Sequence, residues 1–334
     1  MHAEELWTGS GFKAGLCRTL LTPASWLYAL GWQGYLAVYR LGIKMAREPH
    51  SPVVCIGNLQ VGGTGKTPVT LHVAEVLRGT GRDVVVSCSG YGSPASEAAR
   101  LAPAGPLDAG EWGDEAALLR WLQPDLPLIV GRRRVLAGEI CHREFPDAVL
   151  LMDDGFQHLP LRKHVSIVLD PPVPNRRCLP AGPYREPWAN RERADLVIPN
   201  GFRVEATPMR FIGPDGKERQ VGPAGALCAL GRPQAFLDAF NARLGDFLVG
   251  GSPALPVVVL PDHDPLSDGN LLSSFEKGAT IVVTGKDWVK LRRRSDVEQY
   301  DFAIATREVA IEPREAFREW LQAKLDVIPK KETA

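Results

Sequence analysis

The chain has 334 residues, 45% apolar and 23% charged, with 39 Lys plus Arg against 39 Asp plus Glu. This composition excludes a disordered polypeptide and leaves room for two domains with separate cores, while the zero net charge argues neither for nor against a nucleic-acid partner. Six scattered cysteines, with no C-x-x-C pair and no companion histidine spacing, exclude a disulfide framework or zinc site and suit a reducing compartment.

The first predicted element is basic and aromatic. Residues 6–47 carry five basic side chains (Lys13, Arg18, Arg40, Lys44, Arg47) and no acid, and 19–39 is an uncharged run of 21 residues. No signal-peptide layout precedes it. The run has the length to cross a bilayer, but Pro23, Gln33, Gly31 and Gly34 speak against spanning. Trp26, Tyr28, Trp32, Tyr35 and Tyr39, between basic flanks, predict instead a helix in the headgroup layer of an anionic membrane. The alternative is a helix packed on its own domain.

From Pro52 onward, short apolar runs alternate with helical stretches. Strands are expected over 53–56, 84–87, 128–130, 148–152, 165–170 and 196–199, and helices over 68–78, 114–122 and 133–144. Continuous apolar strands separated by helices predict an α/β fold: a mostly parallel sheet covered on both faces, with ligands beyond the carboxyl ends of its strands. Residues 200–225 turn to Gly, Pro and charge and mark a junction. Beyond it, a strand and a helix within 225–244, strands over 257–260, 280–284 and 302–305, and a helix over 314–325 predict a second α/β unit. The expected division is a membrane-associated segment 1–47, a nucleotide-binding core 48–200 and a smaller α/β domain 201–334.

Directly after the first strand comes Gly57-Asn58-Leu59-Gln60-Val61-Gly62-Gly63-Thr64-Gly65-Lys66-Thr67-Pro68. Strand, glycine-rich turn, Gly-Lys-Thr and helix make a phosphate-binding loop (P-loop). The backbone of Gly62, Gly63, Thr64 and Gly65 would face the phosphates of ATP, Lys66 would reach the β/γ-phosphates, and the Thr67 hydroxyl would bind Mg²⁺. Pro68 suits the first helical turn. The strict pattern has glycine where this chain has Gln60, and the dimerising ATPase switches have lysine where it has Val61.

The 148–152 strand runs into Asp153-Asp154-Gly155-Phe156-Gln157-His158. Two adjacent carboxylates need a metal, a cation or water to compensate them. In P-loop enzymes an Asp at the end of a neighbouring strand holds Mg²⁺ opposite the loop threonine, which is the place of Asp153. Asp154 is then available to the metal or the substrate.

Together, GNLxVGGTGKTP and DDGFQH resemble the signature of the tetraacyldisaccharide 4′-kinases, the lipid A 4′-kinases of Gram-negative bacteria. Gly113-Asp114-Glu115, the 179–186 stretch LPAGPYRE, Leu260-Pro261-Asp262-His263, Thr284-Gly285-Lys286-Asp287 and the 21–28 stretch LTPASWLY are similar to that family as well. Gly285 stands where glutamate is usual, and Ser89 where arginine is usual. The resemblance implies a membrane-associated P-loop enzyme using ATP and Mg²⁺ at the cytoplasmic face of the bacterial inner membrane. Its partners would be a lipid A precursor disaccharide and the membrane surface, with no nucleic acid, and the chain would be a monomer. Asp114 would be the catalytic carboxylate acting on the sugar hydroxyl, with His263 paired to it. Glu115 would lie near the metal with Thr67, Asp153 and Asp154, and Arg134 would meet phosphate.

Each residue also has a plainer reading. Asp114 and Glu115 suit the acidic first turn of a helix, His263 a surface turn, and Arg132 to Arg134 a solvated face. Gln157 and His158 suit a hydrogen-bonded loop, and Arg292 to Arg294 an exposed basic strip of the kind that can face anionic lipid. The rival function is a P-loop NTPase that loads a partner protein.

Overall fold

The computed structural model describes residues 3–62, 65–222, 224–231, 233–244, 256–262 and 264–329. Two helices lead the chain, α1 (Ala3–Thr8) and the 29-residue α2 (Phe12–Arg40), which carries Pro23 inside it. The segment packs on its own domain through one face and leaves apolar side chains exposed on another. Phe12, Leu16, Leu20, Trp26, Leu27 and Leu30 are exposed. The inner face is tied down by hydrogen bonds: Ser25 Oγ donates to the Cys178 carbonyl and accepts from the Ala181 amide, Tyr28 donates to the Arg185 carbonyl, and Gln33 donates to Asn190. No helix among the described residues is long and apolar enough to cross a membrane.

The next elements are β1 (Val53–Asn58), α3 (Lys66–Gly79), β2 (Val84–Cys88), β3 (Arg100–Leu101), α4 (Ala109–Trp112), α5 (Asp114–Leu122), β4 (Leu128–Val130), α6 (Arg134–Glu144), β5 (Val149–Asp153), β6 (Val165–Leu169) and β7 (Leu196–Ile198). Their strands form one seven-stranded sheet in the order β3-β4-β2-β5-β1-β6-β7, parallel throughout except for β3. Alternation along each strand sends side chains to two cores. Val54, Ile56, Val84 and Val86 meet Val69, Val73 and Leu77 of α3 on one face. Val53, Cys55, Leu150 and Met152 meet Ala137 and Cys141 of α6 on the other. Burial on both faces is why these strands read as unbroken apolar runs.

Past the junction come β8 (Arg203–Ala206), β9 (Arg210–Ile212), β10 (Gly225–Ala229), α7 (Gln234–Leu244), β11 (Val257–Leu260), β12 (Thr280–Thr284), α8 (Gly285–Leu291), β13 (Asp301–Thr306), β14 (Val309–Glu312) and α9 (Arg314–Asp326). A five-stranded sheet, β11-β10-β12-β13-β9, makes the second unit, with β9 antiparallel at its edge. The chain then returns. β14 pairs antiparallel with β8, and Ile311, Phe317, Leu321 and Leu325 enter the core on the α3 side of the first sheet. The apolar stripe of α9 at 317, 321 and 325 needs a partner, and α3 supplies it. So 309–326, expected within the smaller domain, packs on the larger sheet.

Candidate active site

Sheet order brings the P-loop to the carboxyl end of β1, with the end of β5 beside it: Ile56 is the register partner of Asp153. Gly65, at φ +76°, caps α3 in a left-handed conformation that side chains disfavour, so Gly65 turns the loop into the helix. Gly63 and Thr64 lie outside the described residues. Gln60 explains its own departure from the motif. It is fully buried, and its side-chain amide donates to Asp170 at 3.1 Å, to the Pro171 carbonyl at 2.8 Å and towards the Tyr184 hydroxyl at 3.3 Å. This residue anchors the loop to the end of β6 rather than approaching phosphate. Gln60→Ala is therefore expected to cost about 1–3 kcal/mol of unfolding free energy in urea, as buried polar groups lose their partner. A variant as stable as the parent would remove that anchoring role.

The carboxylates follow. Asp153 is almost wholly buried, with Thr70 donating to it at 3.1 Å and Thr67 lying 3.4 Å away. Burial, then the neighbouring Glu115 and Asp154, push its carboxyl up to about 7, against partial relief from Lys66 and Thr70. Asp154 goes the other way. Burial raises it, but Lys66 at 3.7 Å and Arg185 at 3.1 Å more than offset that, and its carboxyl ends below the usual range. Its Oδ1 is buried without a hydrogen-bond partner among the described residues. Asp153, Asp154 and Glu115 offer oxygen donors only, which would suit a hard divalent cation. No three Asp, Glu, His or Cys side chains converge on one metal position among the described residues. Mg²⁺ bound by one or two carboxylates plus phosphates needs no such convergence.

Arg134 begins α6, but its guanidinium is buried, donating to Ser87 Oγ at 2.9 Å and the Asp153 carbonyl at 2.7 Å. It braces the strand end that carries Asp153. Gln157 likewise holds the loop, donating to the Asn58 carbonyl at 2.7 Å and to the buried Glu186 at 3.0 Å. His158 is driven down to about 4 by burial, then by Lys163 and Arg134, so its ring is neutral at physiological pH. Asp154, His158, Ser89, Arg132 and Arg185 line an open cavity of about 510 Å³, together with Arg134 and with Tyr28 and Trp32 of α2.

Asp114 and Glu115 open α5, where the helix N-terminus favours anions. Glu115 is near enough to Asp153 to raise its carboxyl. Two lysines that sequence reasoning missed face this pair: Lys290 lies 3.8 Å from Asp114, and Lys286 lies 3.8 Å from Glu115. Their spacing of four on α8 was the available signal. Lys290 also donates to the Asp264 carbonyl at 2.9 Å, which ties the segment following β11 to Asp114. His263 itself lies outside the described residues. Gly285 has a packing reason, since a Cβ there would stand 2.8 Å from Leu118 of α5. Asp114 borders a second cavity of about 330 Å³ with Tyr91, Pro265 and Lys290.

The basic strip at 292–294 is engaged with the protein, with Arg293 still exposed. Arg292 donates to the Leu107 carbonyl, Arg293 pairs with Asp108, and Arg294 grips Asp296 and the Leu266 carbonyl.

Comparison with known proteins fits this geometry. The family description Tetraacyldisaccharide-1-P 4′-kinase matches residues 17–326. The tetraacyldisaccharide 4′-kinase of Polaromonas naphthalenivorans is 32% identical, covering 92% of this chain and 90% of its own. Those of Azoarcus sp. (33% identical; 96% and 95% covered) and Pelobacter propionicus (40% identical; 82% and 83%) are similar too. Among solved structures, LpxK from Aquifex aeolicus in complex with ATP superposes with a TM-score of 0.75 at 24% identity, over 92% of this chain and 99% of that one, so the fold is shared. On these grounds the chain belongs to the tetraacyldisaccharide-1-phosphate 4′-kinase family.

Proposed function

We propose that this enzyme transfers the γ-phosphate of ATP to the 4′-hydroxyl of a tetraacylated glucosamine disaccharide 1-phosphate, a step of lipid A biosynthesis. The observation that carries the reading is the meeting of three parts: a P-loop lysine and threonine, the Asp153 carboxylate beside them, and the Asp114–Lys290 pair across the cleft. In our reading residues 48–200 are the kinase core, 201–308 the smaller domain, and 309–326 a return to the core.

Lys66 would hold the β/γ-phosphates, with Asp154 keeping its ammonium oriented until nucleotide arrives. Thr67 and Asp153, with Glu115 and Asp154 around them, are the residues that would hold Mg²⁺. When bound, Mg²⁺ neutralises charge on the phosphates. Asp114 would accept the proton of the sugar hydroxyl, supported by His263, while Lys290 fixes its carboxylate. Arg134 would act through Asp153 by holding its backbone.

The exposed apolar face of α2 supports docking at the cytoplasmic face of the inner membrane, with acyl chains alongside it. We take a monomer as the working unit.

Purified protein in detergent with Mg·ATP and tetraacyldisaccharide 1-phosphate is expected to yield the doubly phosphorylated lipid by mass spectrometry. ATP hydrolysis without lipid product would favour the partner-loading NTPase instead.

A further inference from the structure

A cavity of about 680 Å³ lies at the amino end of α2, away from the P-loop. Trp7, Ser10 and Arg18 wall one side; Asn175, Arg176 and Arg177, on the loop after β6, wall the other. Its lining holds three guanidinium groups and no carboxylate.

The walls are built. Trp7 donates to the Pro180 carbonyl at 2.9 Å, and Asn175 donates to the carbonyls of Trp7 and Ala181 at 3.2 and 2.9 Å. Arg18 clamps the turn between the two helices through the carbonyls of Leu6 and Gly9. The Arg176 guanidinium carbon lies 4.1 Å from the Trp188 ring centroid, a cation–π contact that helps hold it in place. Nearby basic side chains are spent on acids: Arg185 on Asp154, Arg191 on Asp170, Arg193 on Glu186. Among the described residues, Arg176 and Arg177 have no carboxylate at ion-pair distance. In a chain of zero net charge, such an unneutralised pair beside a third arginine asks for an anion.

The loop carrying this pair runs on through Leu179, which borders the 510 Å³ cavity containing Asp154 and Arg185. The two cavities therefore flank α2 in succession, and the ten residues from Arg18 to Tyr28 set them about 15 Å apart. A disaccharide with phosphate at its far end spans that kind of distance. We propose that the Arg18–Arg176–Arg177 cavity is a phosphomonoester subsite that takes the 1-phosphate of the acceptor, opposite the hydroxyl being phosphorylated; the assignment to the acceptor rests on the function proposed above. Such a contact is made equally in the ground and transition states, so it acts on KM.

The test is the double variant Arg176→Gln/Arg177→Gln in neutral detergent micelles, with acceptors carrying or lacking the 1-phosphate. Loss of two charge-assisted contacts should raise KM for the 1-phosphorylated acceptor about 10- to 100-fold at unchanged kcat, with no difference from the parent on the 1-dephospho acceptor. The Arg176→Lys/Arg177→Lys variant, which keeps charge, should recover part of the loss. An equal deficit on both acceptors overturns the subsite. A deficit on both acceptors that appears only when phosphatidylglycerol is added places a phospholipid headgroup there and overturns the acceptor assignment. Binding of each acceptor without ATP, followed by tryptophan fluorescence, separates the two readings. Arginine-dependent preference for the 1-phosphorylated lipid without turnover would sink the kinase reading and keep the subsite.

Discussion

Asp114→Asn is expected to lower kcat about 10³-fold, within the span that general-base groups contribute, with ATP affinity unchanged. The carboxylate is largely buried, fixed at the first turn of α5 and held by Lys290 at 3.8 Å. Asparagine keeps the volume and most hydrogen bonds but cannot take a proton. The P-loop and Asp153 stand on β1 and β5, which pair directly with each other. Equilibrium binding of a fluorescent ATP analogue, set beside turnover of the lipid acceptor, checks both halves. A variant retaining more than about a tenth of the parent kcat would remove Asp114 as the base.

Asp153→Asn should be opposite in sign for activity and for stability. Given the proposed role of Asp153 as a Mg²⁺ ligand, its loss should cost several kcal/mol of transition-state stabilisation, on the order of 10²- to 10⁴-fold in rate. Without divalent cation the same change should stabilise the fold. An unfolded aspartate titrates near 3.8 and the folded one at about 7, so the folded state binds the proton more tightly. The stability that this group contributes is full below the unfolded value and is lost as pH rises through about 7. Urea unfolding of the parent in EDTA should therefore weaken between about pH 4 and 7, while Asp153→Asn shows a shallower slope and Mg²⁺ flattens the parent's. Identical profiles for parent and variant would show that Asp153 is not the strained anion.

Much of this was legible before any coordinates. Strands buried on both faces announce themselves as unbroken apolar runs, and β1, β2, β4, β5 and β6 lie within a residue or two of their expected spans. The P-loop and the paired aspartates are local in sequence, so their chemistry is too. What escaped is non-local or short. The two-residue β3 carries no period, and β8 is exposed along its whole length, so no apolar pattern marks it. Gln60 looked like a defect because its partners, Asp170 and Tyr184, are over a hundred residues away. Arg134, expected to meet phosphate, also donates to Ser87 and a strand carbonyl, partners that only the fold brings to it. Lys286 and Lys290 gain meaning only when α8 packs on α5.

The pairing of β8 with β14 bears on the ancestry of the chain. Val204 sits opposite Ile311, so the points where the polypeptide leaves the seven-stranded sheet and where it re-enters are neighbours. The five-stranded unit is thus a guest spliced into a loop of its host, entering and leaving through one doorway. Guests of that kind can be lengthened, exchanged or lost without rewiring the host, because joining the two doorposts by a tight turn leaves an ordinary hairpin. Variation among relatives should accordingly gather between the doorposts, while the helix that follows them, packed on α3, belongs to the host's history.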